Sequence, residues 1–376
     1  MNIRKASACV ALLLLLSACG EKEKPADESA TPSETVEPNV TVKPYDDLRD
    51  TMQEEGEFDP DHIFTFTFNE GTVLKGSEDI QAQVMEAGKN PGLGIRAIHA
   101  QGITGKNVNV AIIDQNLLLD HPEFSDKIAA YYDTGCEQPE NEGSMHAPAV
   151  TSILVGEHTG VAPDARVYFA AAPSWKGDSE YYAKGLFWII EENRKLPDDE
   201  KIRVVSVSAA PSGDSSPFTE HLDLWDNAVA AARDEGILVL DCRVGTETGI
   251  IAPAHFDPDD REAASLCRGG FPLSPAKLPA TEIGVPTSYR TCAEEYEAGV
   301  PSYQYYGQGG LSWGIPYAAG VLALGWQANP ELDNEEIVQL LFDTCASGKD
   351  GSPIIDPAAF IQAVQEMSGG AVPSDG

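Results

Sequence analysis

Gly309-Gly310-Leu311-Ser312-Trp313-Gly314-Ile315-Pro316-Tyr317-Ala318-Ala319-Gly320 runs directly into the apolar stretch Val321 to Ala328. Two glycines followed by a serine at a helix start present a hydroxyl where backbone and substrate approach closely. The helix start also directs N–H groups and a positive dipole end at developing negative charge. Small residues at 314, 318, 319 and 320 predict a helix buried against close neighbours. A serine in this setting serves either as a nucleophile or as the cap of an ordinary core helix.

Upstream, apolar strands alternate with helical patterns from about residue 88. Asn107 to Ile113, Arg166 to Ala170, Val204 to Ser208 and Ile237 to Leu240 read as strands; Ser179 to Arg194 and Leu222 to Asp234 read as helices. That order predicts an α/β fold, a mostly parallel sheet with helices on both faces. Sites in such sheets gather at the carboxyl ends of the strands. Asp114 stands there, after Val108 to Ile113, where a carboxylate can fix the tautomer of an imidazole. His146 opens a run of small and apolar residues extending to Gly156, placing an imidazole at the start of a buried helix.

Together these stretches resemble the subtilisin-like serine proteases. Val110 to Asp114 with Asp120-His121-Pro122-Glu123-Phe124 is similar to the family's Asp segment. His146 to Gly156 followed by Gly160 to Tyr168 is similar to its His segment, and Gly310 to Gly320 to its Ser segment. The resemblance covers roughly residues 88 to 345. It implies a three-layer subtilisin-like fold and a serine endopeptidase with Ser312 as nucleophile, His146 as general base and acid, and Asp114 orienting His146. It also places Ser208, Ala209 and Ala210 where the family pairs an extended polypeptide substrate.

The chain departs from the pattern at Gln115-Asn116, at Ala147-Pro148-Ala149 and at Leu311 and Trp313, yet no triad member is lost. The family's oxyanion asparagine is missing: Asp241-Cys242-Arg243-Val244-Gly245-Thr246-Glu247-Thr248 contains none. The Ser312 backbone N–H remains, and Arg243, Thr246 and Thr248 are candidate substitutes. Losing one such donor typically costs about 10²–10³ in turnover. The alternative to an enzyme is therefore a catalytically silent fold of this family, kept as a peptide-binding or scaffold module.

The chain has 376 residues and a net charge of −35, which argues against a nucleic-acid partner. At the start, Arg4 and Lys5 precede the short apolar run Val10 to Leu16, as in a secretory signal. Leu16-Ser17-Ala18-Cys19 resembles a bacterial lipobox, so residues 1–18 are expected to be a signal peptide and Cys19 the site of lipidation. That implies an exported lipoprotein anchored to the cell envelope; Gly20 after the cysteine inclines the expectation toward an outer-membrane or outward-facing site.

Residues 19–60 read as an acidic disordered tether. Residues 61–87 read as a short β-hairpin, with strands at His62–Phe68 and Thr72–Leu74, or as a pro-segment. Residues 88–368 form the peptidase domain, and 369–376 a flexible tail. Cys136, Cys242, Cys267, Cys292 and Cys345 match no zinc spacing. A Cys242–Cys267 disulfide would tie down the loop after a strand. Asp257, Asp259 and Asp260 could take calcium, but they lack a spaced ligand pattern; no metal or cofactor is expected.

Overall fold

Val110 and Ile112 join one core cluster while Ala111 and Ile113, between and beside them, join another. They belong to a strand, Asn109–Asp114 (β1), buried at all six positions. Side chains alternate across a strand, so both of its faces are covered. The structure, a computed structural model, describes residues 40–137, 144–214 and 216–369. The expected signal peptide and Cys19 lie outside the described residues, as do residues 370–376 of the expected 369–376 tail, whose first residue, Gly369, ends the helix Pro357–Gly369.

Around β1 stand Ile128–Asp133 (β2), Arg166–Ala171 (β3), Ile202–Val207 (β4) and Leu238–Asp241 (β5). The order is β2-β3-β1-β4-β5, every pair parallel. The main helices are His146–Val155 (α1), Ser179–Lys195 (α2), Leu222–Asp234 (α3) and Gly314–Ala328 (α4). Val150 and Ile153 of α1 and Ile315 and Leu322 of α4 pack with Val110 and Ile112. Leu186 and Ile189 of α2 and Trp225 and Val229 of α3 pack with Ala111 and Ile113. This is the three-layer α/β arrangement expected from the alternating pattern.

The close approach of α4 depends on its small residues. A Cβ added at Gly320 would lie 2.6 Å from the Val161 Cβ, and one at Gly325 2.7 Å from the Phe360 ring. Beyond the parallel sheet, the chain adds a six-stranded sheet from Ile251–His255 onward and a long hairpin. The hairpin pairs Arg290–Glu297 (β6) with Val300–Tyr306 (β7).

The amino-terminal reading needs correction. Residues 40–60 do not form a free tether, because Val42, Leu48 and Phe58 are buried in the main core. The Leu48 N–H also donates to the Thr67 carbonyl at 2.8 Å. The expected hairpin at 62–74 is absent. Pro60–Thr65 forms a 3-10 turn, started by the fixed φ of Pro60 and by Asp59, whose side chain accepts from the Asp61 N–H. Phe68–Asn69 pairs instead with β7, and Val73–Leu74 pairs in parallel with Met52–Gln53. Burial of Phe66, Phe68 and Leu74 against distant partners decides this over local pairing.

The five described cysteines are free thiols, so the Cys242–Cys267 bridge is not made. Cys242 instead donates its backbone N–H to the Ala209 carbonyl at 2.9 Å, while the Cys267 carbonyl accepts from Lys349. Among the described residues, no helix is long and apolar enough to cross a membrane.

Candidate active site

Asp114 is the last residue of β1 and is 2% exposed. Its Oδ1 accepts from the Gln115 N–H and lies 2.8 Å from His146 Nδ1. His146 is the first residue of α1, where the Ser144 hydroxyl accepts from the Ala147 N–H at 3.0 Å. Burial opposes the imidazolium, but the Asp114 charge and hydrogen bond outweigh it and hold His146 above its ordinary value. The other ring nitrogen, Nε2, is left for proton exchange.

Ser312 lies in the 3-10 turn Leu311–Trp313 that leads into α4. The turn is fixed from behind. A Cβ on Gly309 would come 2.3 Å from the Thr287 carbonyl oxygen, and the Thr287 hydroxyl donates to the Gly309 carbonyl at 3.2 Å. Gly310 is open, its nearest neighbour 3.9 Å from where a Cβ would be. The Ser312 hydroxyl donates to the Ser208 carbonyl at 3.2 Å, and the Ser208 hydroxyl donates to the Ser312 carbonyl at 2.8 Å.

The imidazole and the serine turn are joined through Trp313. Its ring stands edge-on to His146, centroids 5.4 Å apart, and to Tyr306 at 4.8 Å. Tyr306 closes the circle by donating its hydroxyl to Met145 Sδ, next to His146. Trp313 had registered in the sequence only as a departure from the family pattern. Tyr306 and Met145 were missed, although adjacency to the glycine turn and to His146 marks both.

The three expected substrate residues follow β4. All their carbonyls are engaged: Ser208 by the Ser312 hydroxyl, Ala209 by the Cys242 N–H, and Ala210 by the Ser216 hydroxyl at 2.6 Å. Beside them a cavity of about 290 Å³ is lined by Ala210, Ser212, Arg243, Val244 and Thr246, among others.

The oxyanion substitutes have other work. Arg243 donates to Asp241 Oδ2 at 2.7 Å, Ser212 Oγ at 2.9 Å, Asp226 Oδ1 at 2.7 Å and Thr248 Oγ1 at 2.7 Å. Thr246 Oγ1 lies 3.2 Å from Thr248 Oγ1 and accepts from the Gly249 N–H. Arg243 thus compensates Asp241, which has no exposed surface. Two of the three expected calcium carboxylates are likewise occupied: Asp257 pairs with Lys349 and accepts from the Asp259 N–H, while Asp260 accepts from the Glu262 N–H. Among the described residues, the His and carboxylate ligand atoms close enough for a cation belong to Asp178, Glu220 and His221, within 4.8 Å of one another. There Asp178 caps α2 and lies 2.9 Å from His221 Nδ1.

Residues 105–242 match the profile described as the Subtilase family. Serine protease AprX of Bacillus subtilis (strain 168) is 27% identical over 310 residues, covering 72% of this chain and 68% of that protein. Subtilisin NAT of Bacillus subtilis subsp. natto is 23% identical over 256 residues, covering 66% of this chain. The alignment spans 63% of subtilisin NAT's own length. Among solved structures, one described by the assembly of subtilase cytotoxin SubAB superposes with a TM-score of 0.56 at 13% identity, over 74% of this chain and 96% of that one. Fervidolysin from Fervidobacterium pennivorans gives 0.53 at 16% identity, over 77% and 48%. The chain therefore has the subtilase fold, and its segment 105–242 carries the sequence pattern of that family.

Proposed function

We propose that the chain is a serine endopeptidase acting on polypeptides. The observation that carries this reading is the 2.8 Å contact between Asp114 Oδ1 and His146 Nδ1, at the strand end beside the Ser312 turn. In the reaction, the Ser312 hydroxyl turns from the Ser208 carbonyl toward His146 Nε2 and gives up its proton as Oγ attacks the peptide carbonyl. The imidazolium then protonates the leaving amine, and water, deprotonated by the same imidazole, releases the acyl group. The proton transfers in these steps need no metal or cofactor.

The Ser312 backbone N–H serves the oxyanion. A substrate strand pairs along 208–210 by displacing the Ser216 hydroxyl from the Ala210 carbonyl, and its side chain enters the cavity lined by Ser212 and Val244. The protein acts at the cell envelope, held by lipid on Cys19. Replacing Cys19 with Ser should move it from the membrane to the soluble fraction.

One observation favours a second reading, a silent peptide-binding module: the loop after β5 spends Arg243, Thr246 and Thr248 on its own structure. A fluorophosphonate probe separates the two. Labelling mapped to Ser312, lost in Ser312→Ala and weakened in His146→Ala, supports the enzyme. A folded, fully processed chain that takes no label at Ser312 is the binding module.

A further inference from the structure

Among the described residues, the buried Arg290 and the half-buried Arg261 make no ion pair with a carboxylate. Arg290, at the start of β6, is 1% exposed, and its Nη2 donates to the Pro286 carbonyl at 3.2 Å. Arg261 donates to the carbonyls of Ala87 and Tyr289 at 3.1 and 3.0 Å. In both, the buried Nε has no hydrogen-bond partner. Their guanidinium carbons share the Phe256 ring, 4.7 Å from its centroid for Arg261 and 5.6 Å for Arg290.

The neighbouring acids are spent elsewhere. Glu262 accepts from Asn90 and the Gly94 N–H, and Asp257 pairs with Lys349. Burial, with the Arg290 charge second, pulls the Arg261 guanidinium down to about 10. A guanidinium withdrawn from water without an ion-pair partner is costly. Stapling the end of the helix Glu78–Gly88 through the Ala87 carbonyl accounts for one Nη of Arg261. The Arg290 guanidinium also lies over the Tyr317 ring, 4.9 Å from its centroid, but both Nε groups stay unpartnered.

Arg261 also lines a cavity of about 250 Å³ whose walls include Phe64, Phe256, Tyr289 and Tyr305. The two tyrosine hydroxyls are already engaged, Tyr289 with Tyr45 and Tyr305 with the Phe64 carbonyl. The cavity therefore offers aromatic surface and one cationic group, Arg261, beside the carboxylates of Asp257 and Asp259. It is smaller than pockets for drug-sized ligands, about 300–1,000 Å³. Asp257 and the exposed Asp259 also line it and disfavour a second negative charge on the guest.

We propose that this cavity binds a small monocarboxylate with an apolar body, its carboxylate on the Arg261 guanidinium and within the field of Arg290, its hydrocarbon against the aromatic walls. Bound there, the ligand joins the helix Glu78–Gly88 to the loop after Ile251–His255 and to the hairpin. The site lies apart from Ser312, so this inference stands whatever the outcome of probe labelling.

Thermal unfolding of the full chain with benzoate, at constant ionic strength, tests it. Benzoate should raise Tm by a few degrees, while benzamide, with the same ring and no charge, should not. The benzoate response should vanish in Arg261→Met. It should vanish also in Val84→Phe, which fills the cavity and leaves both arginines in place, should Arg261→Met fail to fold. Equal rises with benzamide would overturn the role of charge, and an equal rise with chloride would overturn the choice of a carboxylate. A benzoate response retained in a folded Val84→Phe would overturn the location.

Discussion

Ser208 and Ser312 exchange hydrogen bonds, each hydroxyl donating to the other's carbonyl, at 2.8 and 3.2 Å. On the proposed mechanism one half of the pair breaks before Ser312 acts; the other half holds the turn that carries it. Ser208→Ala removes the holding half. The expected result is a stability loss of about 1 kcal/mol and slower probe labelling at Ser312, measured by denaturant unfolding and labelling kinetics. A rate unchanged at equal folding would show that the turn is held by Gly309 and Thr287 alone.

On the proposed mechanism His146 must be neutral to take the Ser312 proton, and its pKa lies above the ordinary value, the Asp114 charge and hydrogen bond outweighing burial. Labelling should thus rise with pH through a midpoint above about 6.5, the unperturbed histidine value. In Asp114→Asn the imidazolium loses its partner, so the midpoint should fall while the plateau drops by about 10⁴-fold. A pH–rate profile of both proteins reads the two effects separately.

Glu294 on β6 is 5% exposed, its Oε2 unpartnered, and burial pushes its carboxyl up to about 7. A carboxyl that holds its proton more tightly when folded contributes most at low pH, below its unfolded value of about 4.3. That contribution is lost as pH rises toward 7. Glu294→Gln should therefore raise Tm at pH 8, by about 2 °C or more, and leave it little changed at pH 4. Equal Tm values at pH 8 would contradict the assignment.

Gly309 and Gly310 should respond differently to alanine. At 309 the new Cβ meets the Thr287 carbonyl at 2.3 Å, whereas at 310 it meets nothing nearer than 3.9 Å. Gly309→Ala is expected to cost about 1–3 kcal/mol or more and to distort the Ser312 turn. Gly310→Ala should fold normally and, lying on the open side, slow peptides more than the small probe. Unfolding curves and paired rates distinguish the two positions.

Arg243→Met would strand Asp241, which has no exposed surface. Removing one partner of a buried pair costs about 3–5 kcal/mol. The variant should be markedly less stable, while labelling per folded molecule should change little if the Ser312 N–H alone serves the oxyanion.

The central sheet and the Asp114, His146 and Ser312 settings were legible because each sits on an element whose apolar residues are local and periodic. Val110 to Ile113 reads as a strand without knowledge of its neighbours. The amino-terminal arm could not be read this way. Val42, Leu48 and Phe58 are scattered among acidic residues, and only distant partners make them core. The hairpin was hidden for the opposite reason, since Glu294 and the fully buried Gln304 break its apolar alternation. Arg243 shows the limit at the site itself. Its position after β5 suggested a donor to substrate, but the charge of Asp241, two residues earlier, claims its guanidinium.

Phe68 pairs with Tyr305, and the Tyr45 and Tyr289 hydroxyls meet across 244 residues of chain. At a synthesis rate of about 5–20 residues per second, the arm waits about 10–50 s for its counterpart to emerge. Throughout that interval Phe66 and Phe68 have nowhere to bury. The protein is thus a late closer, whose early aromatic residues find their partners only when nearly the whole chain has been made.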